Sequence, residues 1–193
     1  RDFPPFKQGT FAKWFRKNAP DQSAFSRHVL YFHGCSVNNM DHGLGRDFIE
    51  VMNAFDTGIS IPRQGCCGVP AIANSEMSMA RRNALRNIRS LGQGTDRILL
   101  TCISGAFALK YEYSGLLALD SEPIRDRVQY VTRYLYDLFR EGTVPRLKPV
   151  KLRAAYHSPC HLERMGGVPY TIEVLRRIPG LDLVILHSEC CGL

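Results

Sequence analysis

No stretch of the 193 residues approaches the roughly 18 consecutive apolar residues that a membrane-crossing helix needs, and no secretory-signal succession of basic, apolar and small residues follows Arg1. A Walker loop, a G-x-G-x-x-G fingerprint, the H-E-x-x-H of a zinc protease and an ordered Ser-His-Asp set are all missing. No motif therefore argues for nucleotide hydrolysis, dinucleotide binding or proteolysis. Gly43-Leu44-Gly45 echoes a phosphate loop but lacks the third glycine, and paired catalytic carboxylates are not evident. The net charge of +7 comes with neither zinc-finger spacing nor the aromatic and basic signature of an RNA-binding sheet, so no nucleic-acid partner is expected. Seven cysteines are too few for a disulfide-dense mini-fold, and an odd number cannot pair completely. A reducing cytoplasm, where clustered thiols serve metals or catalysis, fits them better.

What is present is ordinary in composition and unusual in pattern. A hydrophobic share of 45% and a charged share of 22% match soluble averages, and the length suits one domain or two fused half-domains of about 100 residues each. Arg81, Arg82, Arg86 and Arg89 gather in one expected helix, as a solvated face or a surface for an acidic partner. A repeat stands out. Tyr31-Phe32-His33-Gly34-Cys35, Ile49-Glu50-Val51-Met52 and Cys66-Cys67-Gly68 are echoed by Tyr156-His157-Ser158-Pro159-Cys160, Ile172-Glu173-Val174-Leu175 and Cys190-Cys191-Gly192. The single cysteine and the pair are separated by 30 residues in the first copy and 29 in the second.

Short apolar or β-branched runs predict strands at Val29 to Phe32, Gly58 to Ile61, Arg97 to Leu100, Leu152 to Tyr156 and Leu181 to Leu186. Helical patterns lie between them at Gly45 to Phe55, Glu76 to Leu91, Glu122 to Arg140 and Tyr170 to Arg177. In the third, Ile124, Val128, Val131, Leu135 and Leu138 recur at three- and four-residue steps. Such alternation implies crossover units: an α/β fold of two pseudo-repeated Rossmann-like halves with a mostly parallel sheet. Cys35, Cys66, Cys102, Cys160 and Cys190 all fall just after an expected strand. Parallel sheets collect ligands at that carboxyl edge, so the thiols are expected to converge there. Gly34, Gly65 and Gly68 would let backbone crowd a large inorganic group, with Pro70 and Pro159 stiffening the loops.

Three chemistries suit this pattern. Iron-sulfur clusters take thiolates, commonly four, and Cys35, Cys66, Cys67 and Cys102 supply four. Structural zinc prefers two to four residues between paired ligands, which the adjacent Cys66-Cys67 and Cys190-Cys191 do not offer. A redox dithiol is the third reading, since vicinal cysteines can close a strained disulfide. The cluster uses all the cysteines most directly.

The pattern resembles the cysteine-rich Cys-Cys-Gly domain family, found in heterodisulfide reductases and in the subunits of related iron-sulfur oxidoreductases. The likeness is carried by FHGCSVNN, CCGVPAIAN, FALKYEY, LKPVKLRAAYHSPCHLERMG and TIEVLRRIPGLDLVILHSECCG. It implies a 4Fe-4S type cluster, cubane or noncubane, with Cys35, Cys66, Cys67 and Cys102 at one site and Cys160, Cys190 and Cys191 at another. It also implies an electron-transfer subunit that takes electrons from flavin-containing dehydrogenase subunits and passes them toward membrane quinone, from a cytoplasmic position peripheral to the inner face of the cell membrane. A disulfide-cleaving enzyme and a zinc-binding assembly module remain as alternatives. The family's second C-x-x-C cysteine falls here on Gly105, which puts a five-cysteine ligation in doubt. A ferredoxin-like region usually precedes these domains, and the break after Cys190-Cys191 suggests a C-terminal continuation, so a fragment is expected.

The expected division is a helical lead-in over 1–27, a first cysteine-rich domain over 28–145 and a truncated second over 146–193. His33, His157, His161 and His187 crowd the cysteine loops as supporting or packing groups. The run Phe11 to Lys17, with Thr10 as N-cap, could lie on a membrane interface or pack on the domain.

Overall fold

The computed structural model describes residues 5–186. The chain separates into two compact units, residues 1–129 and 130–193, and each is built on parallel strands.

In the first unit the elements follow in the order α1 (Phe11–Asn18), β1 (Arg27–Tyr31), α2 (Gly34–Asn39), α3 (His42–Ala54), β2 (Thr57–Ser60), α4 (Val69–Ala73), α5 (Met77–Leu91), β3 (Arg97–Leu100) and α6 (Ile103–Phe107). A π-helical turn (Ala108–Glu112), α7 (Tyr113–Gly115), α8 (Glu122–Arg125) and β4 (Val128–Tyr130), whose last residue is the first of the second unit, follow. The sheet order is β2-β1-β3-β4. Strand β1 pairs in parallel with β2, Val29 opposite Ile59, and with β3, Leu30 opposite Ile98. Ile98, Leu99 and Leu100 are consecutive and all fully buried, as in a strand covered on both faces.

Local chemistry sets the helix starts. Thr10 accepts a hydrogen bond from the Lys13 N–H at 3.2 Å, and Asp41 accepts one from the Leu44 N–H at 3.1 Å, each satisfying an otherwise unpaired donor in a first turn. Helix α1 packs on its own unit rather than lying free. Phe11 is fully buried, its ring meeting Tyr31 and His33 edge-on with centroids 6.1 and 5.7 Å away. Gly45 of α3 makes room for it, since a Cβ there would lie 2.5 Å from Phe11 Cε2. Gly45→Ala is therefore expected to cost about 1–3 kcal/mol through overpacking, read as a lower urea midpoint at unchanged slope.

The helix expected over Glu122 to Arg140 is corrected to α8, β4 and a separate α9 (Val131–Arg140). The break is fixed by Arg127, whose Nε donates to the Asp96 carbonyl at 2.8 Å and whose Nη1 donates to the Leu91 and Pro123 carbonyls at 2.8 and 3.1 Å. The Ile98 N–H then donates to the Arg127 carbonyl at 2.9 Å, drawing the next residues to the sheet as a strand.

The second unit has α9, β5 (Leu152–Tyr156), α10 (Cys160–Arg164), α11 (Val168–Arg176) and β6 (Leu181–Ile185). Strands β5 and β6 are parallel, with Leu152 opposite Leu181 and Tyr156 opposite Ile185. Helices α9 and α11 meet through the Tyr136 and Tyr170 rings, 4.9 Å apart, and through the Thr132 and Thr171 hydroxyls at 2.7 Å. The α/β reading with parallel strands holds in both units.

Candidate metal centre

The carboxyl ends of three adjacent strands deliver the first group of thiols. Cys35 follows β1 as the second residue of α2, Cys66 and Cys67 lie between β2 and α4, and Cys102 is the N-cap of α6 after β3. Gly34 opens α2 at φ +67° and Gly68 caps α4 at φ +96°, a left-handed backbone that suits glycine at little steric cost. The five described cysteines are free thiols, Cys102 the most exposed of them and Cys67 buried.

The Cys66 sulfur is within hydrogen-bonding reach of the Cys35 thiol on one side and the Cys67 thiol on the other. The Cys66 thiol is held far below its ordinary value, because the Cys35 and Cys67 thiols donate to it, with further help from the Gly68 N–H, whose nitrogen lies 3.5 Å from Cys66 Sγ. Cys35 and Cys67 are pushed up, first by their bonds to Cys66 and then by burial. Cys102 adds a Coulombic contribution to both Cys35 and Cys67, so its sulfur belongs to the same electrostatic neighbourhood. Cys160 opens α10 in the second unit, while Cys190 and Cys191, like His187, lie outside the described residues.

Buried polar side chains fix this loop. Asn87, fully buried on α5, accepts from the Gly65 N–H at 2.9 Å and donates through Nδ2 to the Cys66 carbonyl and the Tyr113 hydroxyl oxygen, both at 3.0 Å. The Tyr113 O–H in turn donates to the Cys67 carbonyl at 3.0 Å, and burial raises this phenol well above its ordinary range. Gln64 ties the loop to β1: its Nε2 donates to the Tyr31 carbonyl at 2.9 Å and its Oε1 accepts from the Gly34 N–H at 3.3 Å. His33 is buried. Its Nδ1 lies 2.8 Å from the Gly34 carbonyl oxygen, an acceptor, which assigns the proton to Nδ1, and burial lowers the ring's basicity. Its role is to hold the glycine before Cys35.

The sequence pattern does not mark Asn87, Gln64 or Tyr113 as site residues. The available signal was Asn87 itself, a polar residue interrupting the buried face that Ala80, Ala84 and Leu91 form on α5.

Among the described residues, no three Cys, His, Asp or Glu side chains are disposed around a single metal ion. A polynuclear cluster asks for something else, since each thiolate binds a different iron and the sulfurs need not share one point. Four thiols, one of them with its acidity raised by its neighbours and by a backbone N–H aimed at its sulfur, have the donor chemistry for it. At Gly105 a Cβ would lie 3.8 Å from Cys102 Sγ and 3.3 Å from Leu100 Cδ2. A fifth thiol at that position would start beside Cys102, and here the position carries no side chain.

The family described as "Cysteine-rich domain" matches residues 29–110 and 154–193. Over 198 residues the chain is 40% identical to one of the subunits of the anaerobic glycerol-3-phosphate dehydrogenase of Escherichia coli (strain K12), covering 100% of this chain and 50% of that protein. It is 31% identical over 173 residues to one of the fumarate reductase (CoM/CoB) subunits of Methanothermobacter marburgensis, covering 85% of this chain and 32% of the relative. It is 29% identical over 178 residues to one of the dihydromethanophenazine:CoB--CoM heterodisulfide reductase subunits of Methanosarcina barkeri, covering 85% and 42%. The chain therefore spans half or less of the length of these relatives. No solved structure matches.

Proposed function

This chain belongs to the cysteine-rich domain family, and from that premise we propose that it is an iron-sulfur electron-transfer component of an anaerobic glycerol-3-phosphate dehydrogenase. It relays electrons from the flavin-containing catalytic subunit toward membrane quinone and does not itself transform glycerol phosphate. Cys35, Cys66, Cys67 and Cys102 hold one cluster of 4Fe-4S type. Cys160, Cys190 and Cys191 contribute to a second, within a second cysteine-rich domain beginning near residue 146. No helix among the described residues is long and apolar enough to cross a membrane, and attachment at the inner face of the cell membrane is peripheral in this reading.

The observation that supports it is that Cys35, Cys66–Cys67 and Cys102 each follow one of three neighbouring parallel strands, with the Cys66 sulfur in reach of the Cys35 and Cys67 thiols. When bound, a cluster accepts and returns single electrons. The chain's own residues do the rest. Asn87, Tyr113 and Gln64 hold the thiol loops in place, the Gly68 N–H stabilises negative charge on Cys66, and Phe11, Tyr31 and His33 pack beneath the β1 end of the site.

The test is anaerobic reconstitution with iron and sulfide, followed by metal analysis and electron paramagnetic resonance of the reduced protein. A brown protein with a reduced-cluster signal is expected. A colourless, iron-free and normally folded product overturns the reading, and stoichiometric zinc in its place favours an assembly module.

A further inference from the structure

Beside the thiol loop, on the same unit, is a cleft of about 590 Å³ lined by Arg63, Gln64, Gly65, Arg86, Arg89 and Ser90. We infer that this cleft binds a small dianionic ligand, a phosphate or a dicarboxylate, through the guanidinium groups of Arg63, Arg86 and Arg89. Its volume is in the range of small-molecule sites, and the inference does not depend on whether the thiols carry a cluster.

Two elements build the wall. Arg63 and Gly65 come from the segment after β2, and Arg86, Arg89 and Ser90 from α5, where residues three and four apart share a face. Over Met77–Leu91 the sequence MSMARRNALRNIRSL contains four arginines and no acid, so the helix supplies no counter-charge of its own. Among the described residues, no side-chain hydrogen bond or ion pair engages Arg63, Arg86 or Arg89, although Arg133, Arg153 and Arg176 elsewhere each meet a carboxylate.

Two of the remaining wall residues are already committed. The Gln64 amide is held between the Tyr31 carbonyl and the Gly34 N–H, and the Gly65 N–H is given to Asn87. The cleft thus has a pinned floor and, among the described residues, a set of free cationic donors and no negatively charged lining residue. Three like charges around one concavity repel each other, and a dianion relieves that repulsion. The planar guanidinium fork matches phosphate and carboxylate oxygens two at a time. An apolar ligand or a metal cation would gain nothing from such walls.

Isothermal titration at low ionic strength, where screening is weak, tests this with inorganic phosphate and with malonate as probes. Saturable binding of at least one probe at a single site is expected. Arg63→Ala and Arg86→Ala should each weaken it about tenfold or more, the size of one lost charge-assisted pair. Arg86→Lys should fall between, keeping the charge and losing the fork. Arg82→Ala, on the same helix but outside the cleft, should change binding by no more than about twofold, and circular dichroism confirms that each variant is folded. Absence of saturable heat with both probes overturns the inference. Equal weakening by Arg82→Ala and Arg86→Ala also overturns it, because the attraction would then be diffuse.

Discussion

Replacing Cys66 by alanine is expected to abolish cluster assembly at the first group of thiols while leaving the fold intact. Thiolate, not thiol, is the ligand form, and the Cys66 thiol is the one pushed toward ionisation, by the Cys35 and Cys67 thiols and the Gly68 N–H. Without it the two neighbours lose the acceptor that organises them. Cys66 is only half-buried and the substitution removes a single sulfur, so the metal-free protein should lose no more than about 1 kcal/mol of stability. Iron and sulfide content after anaerobic reconstitution should fall by at least the share of one cluster, with the urea midpoint nearly unchanged. Iron content equal to that of the parent protein would remove Cys66 from the ligand set and with it the proposed geometry of the site.

Asn87→Leu is expected to have the opposite profile, a large loss of stability from a residue that touches no sulfur. The substitution keeps the branched heavy-atom skeleton but strands the Gly65 N–H and the Cys66 carbonyl, and deprives Tyr113 of one partner. A buried polar group left unsatisfied costs about 1–3 kcal/mol. Two partly buried groups make about 2–4 kcal/mol, a sizeable part of the 5–15 kcal/mol typical of a whole domain. Urea unfolding followed by circular dichroism measures it. A midpoint equal to that of the parent protein would show that the Cys66 loop does not depend on α5.

The contrast between these two residues also marks what the sequence reveals. The thiols were legible because ligand chemistry restricts residue type, and because β1, β2 and β3 are short apolar runs each followed by a cysteine. Strands β3 and β5 lie where the pattern puts them, at Arg97–Leu100 and Leu152–Tyr156, since glycine, proline or polar residues bound them sharply. The short helices α2, α4, α6 and α10, which follow the thiols, run five or six residues, too few to display a period. Glu122 to Arg140 misled for a different reason. Its apolar steps satisfy a helix throughout, and the interruption depends on Arg127 reaching carbonyls at Leu91, Asp96 and Pro123, partnerships that only the fold creates. Asn87 and Gln64 were hidden in the same way, because an amide looks alike in sequence whether it faces water or joins two loops.

The π-helical turn over Ala108–Glu112 has a consequence for how this segment tolerates change. A widened turn accommodates one more residue than an α-helical one, and each α-helical residue advances a side chain by roughly 100°. The phenol of Tyr113 reaches the Cys67 carbonyl because that extra residue sets its angle. Between Phe107 and Tyr113 the chain is thus counted rather than spelled. Many substitutions there can be absorbed, but losing a single residue would swing the tyrosine away from the loop it secures and leave the paired cysteines without their far anchor.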